Sequence, residues 1–513
     1  MDLLMDRRGL LKAASGLIAS SAFGLPAFAA DATPKKGGTF RLGISGGSSG
    51  DTLDPAKIAT EFLSSVQFTI RNCLIELDDK SNLVPELAES WEPSKDFKTW
   101  TFKLRKGVQF HNGKDFGADD VIFTMNRHRG PNSQSNFAGV ANQIADLKKT
   151  NDHEVVFILE DGNADFPYIL TDMMAAICPS NEAGVLSGMG TGPYKLTNFQ
   201  PGVTLETERN PNYWKQGRAH FDKVILLPIN DTNARVSALL AGSVDAIDRL
   251  DARFTEQLSK KSSVVVSNIV GTRFASFPML CNAAPFDNND FRMAVKYAMN
   301  RKDIIERVFH GYASLGNDHP VSSIQKYYAK DLPQRDYDPD KAKFHLKKSG
   351  YSGGAIDLKV CDAPFNGAVG TAAVFKETAA ACGLDINIVQ VPQDGFWTNV
   401  WMKAPFTVSY WSGRPTADWI LTLCYNSTST WNESAWKSDS FDKLLKQARV
   451  EQDQPKRTEM YAALQKQAAD ESGDLIPFFM NNLYARQKNV MANTEAGNFQ
   501  LDGLRMAERW WFA

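Results

Sequence analysis

The sequence has little of what marks metal, redox or nucleic-acid chemistry. Its 513 residues include six cysteines and seven histidines, with no Cys-x-x-Cys and no His-x-x-x-His or His-x-x-Glu-His spacing, so no metal centre or redox-active pair is expected. Lysine and arginine (57) are balanced by aspartate and glutamate (59), which leaves no basic excess for nucleic acid to use. Beyond the first thirty residues no apolar stretch reaches the length of a membrane-spanning helix. There is no internal repeat and no low-complexity block. Cys73, Cys178, Cys281, Cys361, Cys382 and Cys424 admit many pairings, among which the sequence does not choose; their plainest reading is as small buried hydrophobes.

The first thirty residues, by contrast, are strongly patterned. Arg7-Arg8-Gly9-Leu10-Leu11-Lys12 precedes an apolar run over residues 13–25 and then Ala27-Phe28-Ala29. A positive region, a short apolar region and small residues before a cleavage point define an export signal over residues 1–29, with Ala29 the last residue removed. The paired arginines resemble a twin-arginine leader, read by a bacterial route that exports folded proteins. The first cysteine, Cys73, is far from the cleavage point, so lipid anchoring is not expected and the mature chain is placed in the periplasm.

A chain of this length exceeds one core, and two or three lobes are expected. Strand character over 39–44 is followed by glycine and serine coil at 46–51. Trp100, Phe102 and Leu104 alternate with Thr101, Lys103 and Arg105, the period of a half-buried strand. Ala118-Asp119-Asp120-Val121 opens a helix with carboxylates at its positive end. Strands are expected at 155–159, 194–199 and 203–208. A helix at 231–240 is closed by Gly242, and a strand follows at 244–248. Beyond residue 290 long helices dominate, at 291–299, 304–309, 441–450 and 458–471. Strand 356–361, helix 368–382 and strand 384–391 form a βαβ unit, expected to be parallel. The last segment, from 481 onward, is strand-rich and able to return to the first lobe.

Few side chains suggest bond chemistry. Gly43-Ile44-Ser45-Gly46-Gly47 matches a nucleophile elbow in letters, but no helix follows it, so it reads as a loop. His111 sits alone in a turn. Asp119 and Asp120 are helix-start residues before they are an acid/base pair. Trp397, Trp401, Trp411, Trp419, Trp431 and Trp436 crowd around the loop 412–416, a density that fits either core or the wall of a ligand cleft.

Several ordered segments carry a family resemblance. Leu87-Ala88-Glu89-Ser90-Trp91, residues 100–112 and Ala118-Asp119-Asp120-Val121 resemble the signature block of solute-binding protein family 5, the dipeptide, oligopeptide and nickel class of ABC importers. Thr191-Gly192-Pro193-Tyr194, residues 209–214, residues 286–305 and Tyr337-Asp338-Pro339-Asp340-Lys341-Ala342 extend it over nearly the whole mature chain. The resemblance implies an α/β, two-lobe periplasmic binding protein of type II, cluster C, with an extra subdomain inserted in lobe 1. Lobe 1 would comprise 30–277 and 483–513, the insert about 72–189, and lobe 2 residues 278–482.

The implied function is capture of a small peptide or peptide-like solute between the lobes and delivery to ABC permease subunits of the inner membrane, by a monomer without cofactor, metal, nucleic acid or catalysis. A periplasmic sensor or chaperone is the alternative, and a secreted hydrolase a more distant one. The ligand-binding candidates are Thr60 and Glu61 from lobe 1, and Trp397, Trp411, Ser412, Gly413, Arg414 and Asp418 from lobe 2. Peptide-binding members carry an amine-pairing aspartate shortly after a tryptophan in lobe 2, whereas here Trp411-Ser412-Gly413 is followed by Arg414. That arginine favours an anionic group on the ligand, unless Asp418 pairs with it and merely stiffens the loop.

Overall fold

The computed structural model describes residues 34–513; the export signal lies outside the described residues. Three bodies of structure surround one central cleft. The first is built on a seven-stranded mixed sheet in the order Val264–Ile269, Asn482–Gln487, Ala246–Ile247, Thr39–Ile44, Lys223–Pro228, Thr204–Arg209, Tyr194–Gln200. Its central strand runs parallel to both neighbours, and Phe40, Leu42 and Ile44 point into the core, as period-2 alternation requires. The helix Glu61–Ile70 shares that core through Phe62, Val66 and Ile70. The returning C-terminal segment supplies Asn482–Gln487, pairing antiparallel with Val264–Ile269 and Ala246–Ile247.

The insert is an antiparallel sheet in the order Ala88–Pro93, Thr99–Leu104, Glu154–Leu159, Ile144–Asn151, with helix Ala118–His128 against it. Trp100, Phe102 and Leu104 are all buried in its core. Asp120 accepts from the Gly117 backbone N–H at 3.1 Å and pairs with Lys114. Asp119 meets Lys149 at 2.8 Å. Both carboxylates therefore serve the start of the helix and its surroundings.

The remaining body carries a sheet in the order Ala313–Leu315, Phe478–Met480, Phe274–Pro278, Ser409–Trp411, with Asp474–Leu475 also paired to Phe274–Pro278. The expected βαβ unit is present. Ile356–Val360 and Ile386–Gln390 pair in parallel, joined by helix Ala368–Ala380. Because Phe274–Pro278 stands in this second sheet, the chain first crosses between the two large bodies at 270–273, ahead of the 277/278 boundary expected from sequence. All five residues of that strand are buried, so no polar break marks the change. The second crossing lies between Met480 and Asn482.

Buried charges join the insert to the C-terminal segment. Lys215 Nζ lies 2.8 Å from Glu86 and 2.9 Å from Glu508 and also pairs with Glu76. Arg505 reaches Glu86 at 2.8 Å and Arg509 reaches Glu76 at 2.6 Å. The three carboxylates approach as metal ligands would, but the Lys215 ammonium already bridges them. Burial opposes the charge on Lys215, and the carboxylates overcome it, holding its pKa well above the ordinary value. All six cysteines are free, and all but Cys281 are buried.

Candidate functional site

A cavity of about 860 Å³ opens where the two large bodies and the insert meet. Its first wall begins at Thr60, which caps helix Glu61–Ile70 by accepting from Leu63 N at 3.3 Å. Glu61, in the first turn, is bound by Arg249 Nε at 2.8 Å. Nearby, Ser45 of the elbow-like glycine run donates its hydroxyl to buried Asp248 at 2.5 Å, and Asp248 also meets Arg235 at 3.2 Å. That serine is engaged by a carboxylate that is itself ion-paired, and no histidine base stands in the contact.

The facing wall is the loop between strand Ser409–Trp411 and helix Ala417–Tyr425. Gly413 lets this loop lie against the crossing segment: a Cβ there would fall 1.7 Å from Thr272 Oγ1. Arg414 Nη1 donates to the Ser412 and Gly413 carbonyls at 2.8 and 3.1 Å, and its guanidinium lies 5.7 Å from the Trp419 ring centre. Burial lowers its pKa, partly countered by Asp172 across the cleft on the insert. Asp418 does not pair with it. Its carboxylate is taken by Arg449 Nε at 3.1 Å and by the Tyr461 hydroxyl at 3.2 Å.

The cavity wall thus includes Thr60, Glu61, Ser412, Gly413, Arg414 and Asp418, whereas the two candidate tryptophans do not contribute to it. Trp411 is 3% exposed, stacks on Phe274 and donates its indole N–H to Glu433 at 2.8 Å. It lies on the last strand of the second sheet, paired with Phe274–Pro278, and packs into the core shared with helices Ala417–Tyr425, Asp439–Val450 and Gln454–Glu471. Trp397 is on the short helix Phe396–Asn399, edge-on to Trp401 and to the wall residue Tyr410, and is not itself part of the lining. The aromatic wall is instead Tyr410, Trp419 and Trp431, the last of them 50% exposed. Trp431 belonged to the dense tryptophan segment; what picks it out is the three-dimensional path of its loop.

Other wall residues carry no sequence signal. Arg273, on the first crossing segment, lies over Tyr410 at 5.1 Å, and its pKa is lowered by burial and then by the like charge of Arg249. Asp172 accepts from Met174 N at 2.8 Å; burial pushes its pKa up. Asp165 meets Arg457 at 3.0 Å. Nothing in their spacing brings these residues to one place. The insert does so by folding over the first lobe.

The arrangement supplies walls, charges and two crossing strands. It suits enclosure of a solute. The model of the bacterial extracellular solute-binding proteins, family 5 middle region, matches residues 82–433. The chain belongs to that family. Among its relatives is a di/tripeptide-binding protein of Pseudomonas aeruginosa, 28% identical over 453 residues, covering 80% of this chain and 84% of the relative. A dipeptide-binding protein of Escherichia coli is 27% identical over 442 residues, covering 77% and 81%. The oligopeptide-binding protein AppA of Bacillus subtilis, solved with a nonapeptide, superposes with a TM-score of 0.76 at 22% identity, over 94% of this chain and 100% of that one. The family 5 chain thus has the two-lobe periplasmic binding protein fold, and the members matched are binding proteins.

Proposed function

We propose that the protein is the periplasmic substrate-binding component of an ABC importer, closing its two lobes on a peptide-like solute that presents an anionic group to Arg414, and handing it to permease subunits of the inner membrane. Such a protein works through higher affinity of its closed form for ligand, and bond chemistry is not required. The observation that carries the ligand assignment is the Arg414 guanidinium, which lies in the cleft wall on backbone carbonyls and an indole face while the nearby Asp418 is occupied by Arg449. A cation there repels a peptide ammonium and binds a carboxylate through parallel N–H donors. The P. aeruginosa and E. coli relatives are named for di- and tripeptides, which supports a peptide-like scaffold.

Calorimetric titration of the wild type and of Arg414→Asp tests the assignment. The substitution is expected to weaken an anionic peptide-like ligand by about 1.5–3 kcal/mol, the worth of a charge-assisted hydrogen bond. Tight binding of ordinary neutral dipeptides, untouched by the substitution, contradicts it. Export in folded form is tested separately: Arg7→Lys with Arg8→Lys should hold the precursor in the cytoplasm, and normal processing of that variant refutes the twin-arginine route.

A further inference from the structure

The charges around the cavity do not cancel. Glu61 is paired with Arg249, Asp418 with Arg449, and Asp165 with Arg457. Three charged side chains of the wall remain without an ion-pair partner among the described residues: Arg273, Arg414 and Asp172. Two cations and one carboxylate are left facing the cleft.

Each of the two guanidiniums is also placed in a way that leaves donors free. Arg273 lies over Tyr410 at 5.1 Å and its Nε, buried, has no hydrogen-bond partner. Arg414 lies over Trp419 at 5.7 Å and spends Nη1 on carbonyls. A ring face restrains a guanidinium without using its in-plane N–H groups, which are the ones that fit a carboxylate. The two arginines stand on neighbouring segments that line the same cavity: Phe274 pairs with Trp411 in antiparallel register, which carries Arg273 alongside Ser412, two residues before Arg414. Asp172, on the insert, lines the same cavity as the two arginines, and its charge and that of Arg414 favour each other's ionised forms.

We infer that the solute carries two carboxylates and one ammonium, a doubly acidic amino-acid conjugate whose acidic groups are held by Arg273 and Arg414 and whose amine is held by Asp172. The inference rests on the cleft being the solute site proposed above. Trp431, half-exposed beside them, gives the carbon skeleton an apolar wall. Two sources share this chemistry: dipeptides with one acidic side chain, and N-carboxyalkyl amino acids, in which a secondary ammonium links two carboxylates. Neutral dipeptides leave one guanidinium dehydrated and unpaired, the kind of mismatch that separates ligands of similar size.

The test is calorimetric titration of the full mature protein with four probes: alanyl-glutamate, N-(1-carboxyethyl)-alanine, alanyl-alanine, and glutarate, which lacks the amine. At least one of the first two should bind a hundredfold or more tighter than alanyl-alanine and at least tenfold tighter than glutarate; which one binds tells the two sources apart. Arg273→Gln should cost that ligand tenfold to a hundredfold, yet leave the affinity of its monoamide almost unchanged, a selectivity that a merely structural arginine would not produce. Arg273→Lys, which keeps the charge and loses the fork, should fall between, and serves if the glutamine variant does not fold. Alanyl-alanine bound as tightly as the diacids, or equal losses for diacid and monoamide, overturns the inference while leaving a peptide-binding function standing. Binding of none of the four overturns both.

Discussion

The Asp418 carboxylate takes its ion pair from Arg449, whose Nε lies 3.1 and 3.2 Å from its two oxygens, and leaves Arg414 to the cleft. That pairing ties helix Ala417–Tyr425 to helix Asp439–Val450. Arg449→Met leaves a buried carboxylate with only the Tyr461 hydroxyl, and should destabilise the protein by about 3–5 kcal/mol. Arg414→Met should change stability by less than about 1 kcal/mol, since it breaks no ion pair. Urea denaturation of the two variants checks the contrast; equal losses would mean that Arg414 is part of the scaffold.

Trp411 and Trp431 are in tilted contact, with ring centres 5.8 Å apart, but they should respond oppositely to truncation. Trp411→Ala empties a core site and abandons the Glu433 hydrogen bond, costing about 3–5 kcal/mol of stability. Trp431→Ala should keep the melting temperature within a few degrees and weaken ligand by about 1–3 kcal/mol, as the loss of an aromatic contact at a binding wall does. Thermal melts paired with titrations read both; a stable Trp411→Ala protein with impaired binding would put that indole back in the cleft.

Lys215 is the one ammonium bridging Glu76, Glu86 and Glu508 among the described residues. Lys215→Met leaves three buried carboxylates with Arg505 and Arg509 alone, and should cost about 3–5 kcal/mol. The damage should appear first where the insert meets the C-terminal segment, as faster amide exchange in Ile75–Leu77 and Met506–Arg509. Uniform exchange across the chain would contradict that placement.

Acid should unfold the protein earlier than its carboxylates alone dictate. His111, His128 and His319 are each pushed down to about 4, in every case chiefly by burial. A lowered folded-state pKa means that between about pH 6.5 and 4 the unfolded chain binds protons the folded chain refuses, so stability falls as pH falls through that window. Each such histidine adds up to about 1.4 kcal/mol per pH unit. His319, with neither ring nitrogen hydrogen-bonded, is the cleanest to remove: His319→Phe should flatten the denaturation profile between those pH values. An unchanged slope would show that His319 is already protonated in the fold.

Much of the architecture could be read in the sequence because its periodicities are local. Helix 231–240 with its Gly242 stop appears as Thr232–Leu240, capped by Asp231, with Gly242 at φ 70°. The alternation at Trp100, Phe102 and Leu104 became a strand with those residues inside. Of the residues named from the sequence, Thr60, Glu61, Ser412, Gly413, Arg414 and Asp418 line the cavity. Trp411 misled because tryptophan serves core and cleft alike, and only its strand pairing with Phe274–Pro278 sends it inward. Arg273 and Asp172 carried no local signal. Their role depends on which segments cross between the lobes and on how the insert folds over the first of them.

The central claim, that two lobes close on a solute between Arg414 and the first lobe, is tested most directly by small-angle scattering with and without the tightest-binding acidic conjugate, occupancy being confirmed by tryptophan emission. The radius of gyration should fall on saturation, and Arg414→Asp at the same concentration should remain at the ligand-free value. An unchanged radius at full occupancy of the wild type would contradict closure.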